Sequence, residues 1–279
     1  MRDSGIKRID EAFSREADLG KHSLIGFLTC GDPSPKHTPR LVKALIDGGV
    51  DIVELGMPFS DPIADGPVIQ AANVRALDSG TTPPSTLATI RDLSDTNGGV
   101  PIVLLTYFNP ILRAGVDHFL SEASSSGVCG IVVPDLLHGS RDGERFSASA
   151  FKNGIASITM AAPSTERERL GDLADSTRGF LYLVSLLGVT GSRKSKSSIG
   201  EEGVEFIRAA SKIAKKRSKR TAVGFGISRP EHVREVIDAG ADGVIVGSSF
   251  VNVVASNRDD VDRACELLSK YARRLKDAT

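Results

Sequence analysis

Eight short apolar runs, each followed by a longer amphipathic stretch, recur along the chain, and this repetition limits the fold more than any other property. The runs are Ser23 to Thr29, Asp51 to Leu55, Pro101 to Thr106, Gly130 to Val133, Ile155 to Met160, Phe180 to Ser185, Thr221 to Gly224 and Gly243 to Val246. They show almost no polar alternation, which suits strands buried on both faces of a parallel sheet. Between them, Pro39 to Asp47 sets Leu41, Ala44 and Leu45 on one side of a helix, and Pro230 to Ala239 does the same with Val233, Val236 and Ile237. Helix ends run into glycine and then a strand at Gly48-Gly49, Gly127, Gly154 and Gly240, where glycine supplies the left-handed residue that stops a helix. Eight β-then-α units without a long linker predict an α/β fold, a (β/α)8 TIM barrel over residues 1–279 as one domain. A doubly wound open sheet is the alternative. Two additions to a minimal barrel are expected. Ser4 to Asp18 forms an extra N-terminal helix, with Ile6, Ile9, Ala12 and Phe13 on one stripe. Ser248 to Ala255 forms an extra short helix after the eighth strand, ahead of a last helix from Asp259 to Lys276.

Composition excludes several classes of function. Formal net charge is zero, so no global field draws the chain to nucleic acid or to an acidic membrane surface. The segment Met1 to Gly20 is charged and lacks an apolar centre, so no signal peptide is expected. No apolar run is long enough to span a bilayer. Cys30, Cys129 and Cys265 form no paired motif, which fits reduced thiols and a cytoplasmic setting.

Candidate chemistry gathers at the C-terminal ends of the strands, the working face of a parallel barrel. On the second strand Ile52 and Glu54 share one face, and Val53 and Leu55 the other. A glutamate near the end of an otherwise apolar strand needs a partner, water or a substrate. A second acid, Asp65, follows in a loop broken by proline and glycine, and two carboxylates near one strand end can move protons on a bound substrate. Strand-end ion pairing for Glu54 and turn chemistry for Asp65 are the plain structural alternatives. Glycine clusters follow the sixth, seventh and eighth strands at Gly188-Val189-Thr190-Gly191, Gly224-Phe225-Gly226-Ile227-Ser228 and Gly247-Ser248-Ser249. Glycine lets backbone N–H groups approach an anion, and a helix opening at Ser248 adds donors, so a phosphate ligand is expected. Phe27, Leu105, Tyr107, Tyr182 and Phe225 would shape an apolar pocket or simply pack at the rim. The five histidines, His22, His37, His118, His138 and His232, lack metal-ligand spacing and read as surface positions. No lysine falls within a clear strand, which argues against Schiff-base chemistry, and no dinucleotide fingerprint or P-loop occurs. Proton transfer by carboxylates remains. From the residues alone, another sugar-phosphate isomerase or synthase on the same barrel stays open, as does a non-catalytic activating partner.

The run Glu54 to Gly66 resembles the signature of the tryptophan synthase alpha subunit family. Thr29 to Pro33, Tyr107 to Pro110, Val133 to Asp135, Gly188 to Gly191, Gly224 to Ser228 and Gly247 to Ser249 follow in that family's order. The resemblance implies a lyase that cleaves indole-3-glycerol phosphate to indole and glyceraldehyde 3-phosphate, without metal or cofactor in this chain. It implies Glu54 as general acid–base and Asp65 as acceptor for the indole N–H. It also implies Phe27, Leu105, Tyr107 and Tyr182 around the substrate, and Gly191, Gly226, Gly247 and Ser248 at its phosphate. Thr190 would contact the catalytic aspartate from a closing loop. The implied partner is a beta subunit holding pyridoxal phosphate, in an alpha2beta2 tetramer, which joins the indole to L-serine in the last step of tryptophan biosynthesis. The Asp65 loop and the segment from Leu186 to Ser198 would face that partner.

Overall fold

The computed structural model of this protein describes residues 4–184, 199–224 and 226–279. Nine strands run β1 (Ser23–Thr29), β2 (Ile52–Gly56), β3 (Ile102–Leu105), β4 (Val128–Val132), β5 (Ala156–Ile158), β6 (Met160–Ala161), β7 (Phe180–Val184), β8 (Arg220–Gly224) and β9 (Gly243–Val246). Every pairing is parallel, in the order β5-β4-β3-β2-β1-β9-β8-β7-β6. The two outermost strands of that order are one stave interrupted at Thr159. The Arg178 N–H donates to the Ser157 carbonyl at 3.0 Å and the Tyr182 N–H to the Thr159 carbonyl at 2.9 Å, which joins the stave to β7 and closes the ring. The fold is therefore the eight-stave TIM barrel, not the open sheet.

The helices are α1 (Gly5–Asp18), α2 (Thr38–Asp47), α3 (Pro67–Asp78), α4 (Pro83–Thr96), α5 (Phe108–Ala114), α6 (Val116–Ser125), α7 (Arg141–Lys152), α8 (Arg167–Ser176), α9 (Glu201–Lys215), α10 (Pro230–Asp238), α11 (Ser248–Ser256) and α12 (Val261–Lys276). Their starts carry local signals: Ser4, Ser140 and Asp260 cap α1, α7 and α12 through side-chain oxygens, and Thr82 and Ser85 form a reciprocal capping box on α4. The glycine junctions act as expected, since Gly49, Gly127, Gly154 and Gly240 all have φ between +70° and +102°. Among the described residues no helix is long and apolar enough to cross a membrane.

Strand alternation divides the core in two. Outward residues such as Leu24, Val53, Leu55, Leu104 and Val223 pack under the helices. Inward residues Ile25, Ile52, Val103, Phe180, Ala222 and Ile245 fill the barrel, and α1 closes its foot with Ile9, Ala12 and Phe13. A buried ion cluster locks that closure. Lys276 Nζ on α12 donates to Glu16 Oε2 of α1 at 2.6 Å, to Asp51 Oδ2 before β2 at 2.7 Å, and to the His22 carbonyl at 3.0 Å. The upper end of the barrel is left for chemistry.

Candidate active site

Strand β2 delivers the first acid. Ile52 belongs to the barrel filling, so Glu54, two residues on, faces the same interior one layer higher. Its ladder partner on β1 is Phe27. Glu54 is 2% exposed and its Oε1 has no hydrogen-bond partner among the described residues. Burial, and then the nearby charge of Asp65, push the Glu54 carboxyl up to about 8. It therefore stands protonated at neutral pH and can act as an acid.

The second acid is held by the loop and by the helix that follows it. The Asp65 N–H donates to the Pro62 carbonyl at 3.0 Å, and Gly66 begins α3 with Pro67 in its first turn. From α3, Asn73 Nδ2 donates to Asp65 Oδ2 at 3.0 Å, and Gln70 Nε2 donates to the Asp65 carbonyl at 2.8 Å. Burial raises the Asp65 carboxyl above its ordinary value, against the hydrogen bonds of Asn73 and Tyr107. Helix α3 is fixed in turn by Arg75, whose Nε and Nη2 bind both oxygens of buried Asp32 at 2.8 and 2.7 Å.

One cavity joins these acids to the glycine clusters. Its lining includes Phe27, Glu54, Asp65, Leu105 and Tyr182, together with Gly226, Gly247 and Ser248. The flat apolar surfaces and Glu54 come from β1, β2, β3 and β7, Asp65 from the loop after β2, and the backbone-rich end from the turns after β8 and β9. Ser248 and Ser249 open α11, whose first N–H groups lack helical acceptors. Among the described lining residues there is no lysine or arginine, so an anion there would be held by backbone dipoles and serine donors. Tyr182 stands between the two ends. Burial, then Glu54 and Asp65, hold its phenol well above the usual tyrosine value, so it remains a neutral donor.

Residues 13–279 match the family described as the tryptophan synthase alpha chain. This chain belongs to that family. A tryptophan synthase alpha chain from Methanoregula boonei is 43% identical over 97% of this chain and 98% of its own length. One from Arabidopsis thaliana is 39% identical, covering 97% and 94%. Among solved structures, a chain of the tryptophan synthase a2b2 complex from Pyrococcus furiosus is 42% identical and superposes with a TM-score of 0.81, covering 91% of this chain and 97% of that one. The tryptophan synthase subunit alpha of Legionella pneumophila superposes at 0.83 with 31% identity and 97% coverage of both chains.

Against this family background the structure brings together eight expected residues, Phe27, Glu54, Leu105, Asp65, Tyr182, Gly226, Gly247 and Ser248. Tyr107 is not among the described residues that line this cavity. It is buried outside the cavity lining, stacks on Phe59 with ring centroids 5.4 Å apart, and its hydroxyl accepts from the Ala64 N–H at 3.2 Å. These two contacts tie the segment that carries Asp65 to the residue just after β3. The surface reading of the histidines fails at His232, which is buried on α10 and hydrogen-bonded. Thr190, Gly191, Phe225 and the whole segment Leu186 to Ser198 expected at the partner face lie outside the described residues. Sequence reasoning missed Met160 and Ile69 in the lining, and Asn73 behind Asp65. A polar side chain at position 73 on the buried side of α3, eight residues after an acid, was the available signal.

Proposed function

We infer that this chain cleaves indole-3-glycerol phosphate to indole and glyceraldehyde 3-phosphate as the alpha half of a tryptophan synthase. The observation that carries the reading is the buried Glu54 carboxyl, unpartnered at Oε1, opening into a cavity shared with Asp65, an apolar slot and a backbone-lined anion end. Neutral Glu54 gives its proton to indole C3, which makes an indoleninium cation. Asp65 accepts a hydrogen bond from the ring N–H, and its negative charge stabilises that cation. The Glu54 carboxylate then takes the proton from the hydroxyl on the glycerol carbon bonded to the ring. The C–C bond breaks, the aldehyde carbonyl forms, and its electrons restore the aromatic indole. Glu54 ends protonated, so no net proton is consumed.

Phe27 and Leu105 hold the indole plane, and Tyr182 donates to the polar side of the substrate. Gly226, Gly247 and Ser248 receive the phosphate. Ile63, Leu112 and Leu137 are exposed on the segments after β2, β3 and β4, on one side of the same rim. This apolar edge fits docking of a beta subunit in an alpha2beta2 assembly, with pyridoxal phosphate in that partner and none required here. A cytoplasmic setting follows from the same reading.

The test is indole release by the purified chain, with and without a beta subunit. Glu54→Gln keeps the size of the side chain but cannot transfer the proton, so turnover should fall by about 10²–10⁴ with the fold intact. Full activity in that variant would remove the assigned mechanism.

A further inference from the structure

The turn after β8 is pinned by side chains from three helices. The Gly226 carbonyl lies 3.3 Å from His232 Nδ1 of α10. The Ile227 carbonyl accepts from Ser249 Oγ of α11 at 3.2 Å, and the Ser228 carbonyl accepts from Tyr271 Oη of α12 at 2.6 Å. Three consecutive carbonyls are thus directed by side chains, not by a strand or helix ladder.

The imidazole is the decisive member. Arg229 Nε lies 3.1 Å from His232 Nε2. A guanidinium can only donate, so Nε2 carries the lone pair and the proton is assigned to Nδ1. With the proton there, the 3.4 Å approach of the Ser228 N–H to Nδ1 is not a hydrogen bond, and the Gly226 carbonyl is the acceptor. In a planar trans peptide the N–H points opposite its carbonyl. Drawing the Gly226 carbonyl toward α10 therefore turns the Ile227 N–H the other way. Gly226 has φ of +74° and lines the cavity, so the plane that follows it is free to rotate unless something holds it.

We propose that His232 is a positioning residue for phosphate binding: its Nδ1–H holds the Gly226 carbonyl out of the anion end and fixes the direction of the donors in that turn. A carbonyl swung inward would place a negative dipole against the phosphate. The inference rests on the reading that this turn takes the substrate's phosphate, and it assigns the residue that orders it.

The experiment compares wild type with His232→Ala and His232→Asn, whose amide N–H stands near the position of imidazole Nδ1. Inorganic phosphate is titrated by calorimetry, and kcat and KM for indole-3-glycerol phosphate are measured separately. The alanine variant should weaken phosphate binding and raise KM by about tenfold, the worth of one hydrogen bond, with kcat changed far less. The asparagine variant should recover most of that loss. Should the alanine variant not fold, Arg229→Met removes the donor that sets the tautomer and should raise KM several-fold. Unchanged phosphate affinity in a folded His232→Ala chain, or asparagine no better than alanine, would overturn the proposal. A wild-type chain that binds phosphate in a His232-dependent way but releases no indole would remove the assigned reaction and keep this inference.

Discussion

Asn73 on α3 donates to Asp65 Oδ2 at 3.0 Å, so the loop acid takes its direction from a buried amide eight residues further on. The amide cannot take up charge, and under the proposed reaction the other carboxylate oxygen would take the substrate N–H. Asn73→Ala removes this anchor. The variant should lose roughly tenfold or more in kcat/KM, since an acid held through a supporting hydrogen bond loses its alignment when that bond is removed. Steady-state indole release, with far-UV circular dichroism as the check on folding, measures it. Unchanged kcat/KM would mean the loop orients Asp65 alone.

The pH profile should report both acids. Glu54 must start protonated, and its carboxyl titrates at about 8. The kcat/KM for indole release should therefore fall as pH rises through about 8, and Glu54→Gln should lose this descending limb along with its activity. Asp65 must be ionised, and burial raises it above 3.8, so the acid limb should lie above the ordinary aspartate range. A flat profile between pH 7 and 9 would contradict the assigned starting state.

The same shift has a stability consequence of definite sign. A carboxyl raised on folding leaves stability intact below its unfolded value of 4.5 and removes it as pH rises through about 8. Glu54→Gln does not titrate. The variant should gain on wild type as pH climbs from 5 to 9, by at most roughly 4–5 kcal/mol at about 1.4 kcal/mol per unit. Urea denaturation across that range checks it, and a constant difference at all pH values would count against a strained buried acid.

At the barrel foot, Lys276→Met removes the buried cation between Glu16 Oε2 and Asp51 Oδ2, leaving the more exposed Arg15 at 3.2 Å from Glu16 Oε1 and 3.5 Å from Asp51 Oδ1. Two buried carboxylates are then left close together, and the loss should be about 3–5 kcal/mol in urea unfolding at neutral pH. Indole release per folded molecule should stay near wild type, because the cluster lies at the opposite end of the barrel from the cavity.

A Cβ at Gly224 would stand 2.6 Å from the Tyr182 hydroxyl. Gly224→Ala should thus push the tyrosine out of position and reduce kcat/KM by about one order of magnitude or more, and Tyr182→Phe, which removes the colliding oxygen, should relieve part of that loss in the double variant. Additive effects of the two changes would deny the steric link.

Much of the site could be read from the chain because strand alternation is a rigid rule. Ile52 in the barrel interior forces Glu54 inward, and the glycines after β8 and β9 can hardly serve any other geometry as well. Other features were hidden for physical reasons. An aromatic at a strand end looks the same in sequence whether it meets ligand or props up a loop, and Tyr107 is seen here bonded to the Ala64 N–H of the Asp65 segment. The apolar run Ile155 to Met160 is continuous in sequence, and only the strand bounds, Ala156–Ile158 and Met160–Ala161, show that the stave is interrupted at Thr159. His232 lies four positions before Val236 and hence on the apolar stripe of α10. Its polarity suggested the surface, whereas the carbonyl and guanidinium around it decide its place.

The cluster at Lys276 also sets an order on biosynthesis. Glu16 and Asp51 leave the ribosome long before Lys276, which lies 260 and 225 positions downstream. At roughly 5–20 residues per second, the gap from Asp51 lasts on the order of 10–50 s. Over that interval the two acids have the half-exposed Arg15 beside them, and the buried cation that completes the cluster arrives only with the last helix.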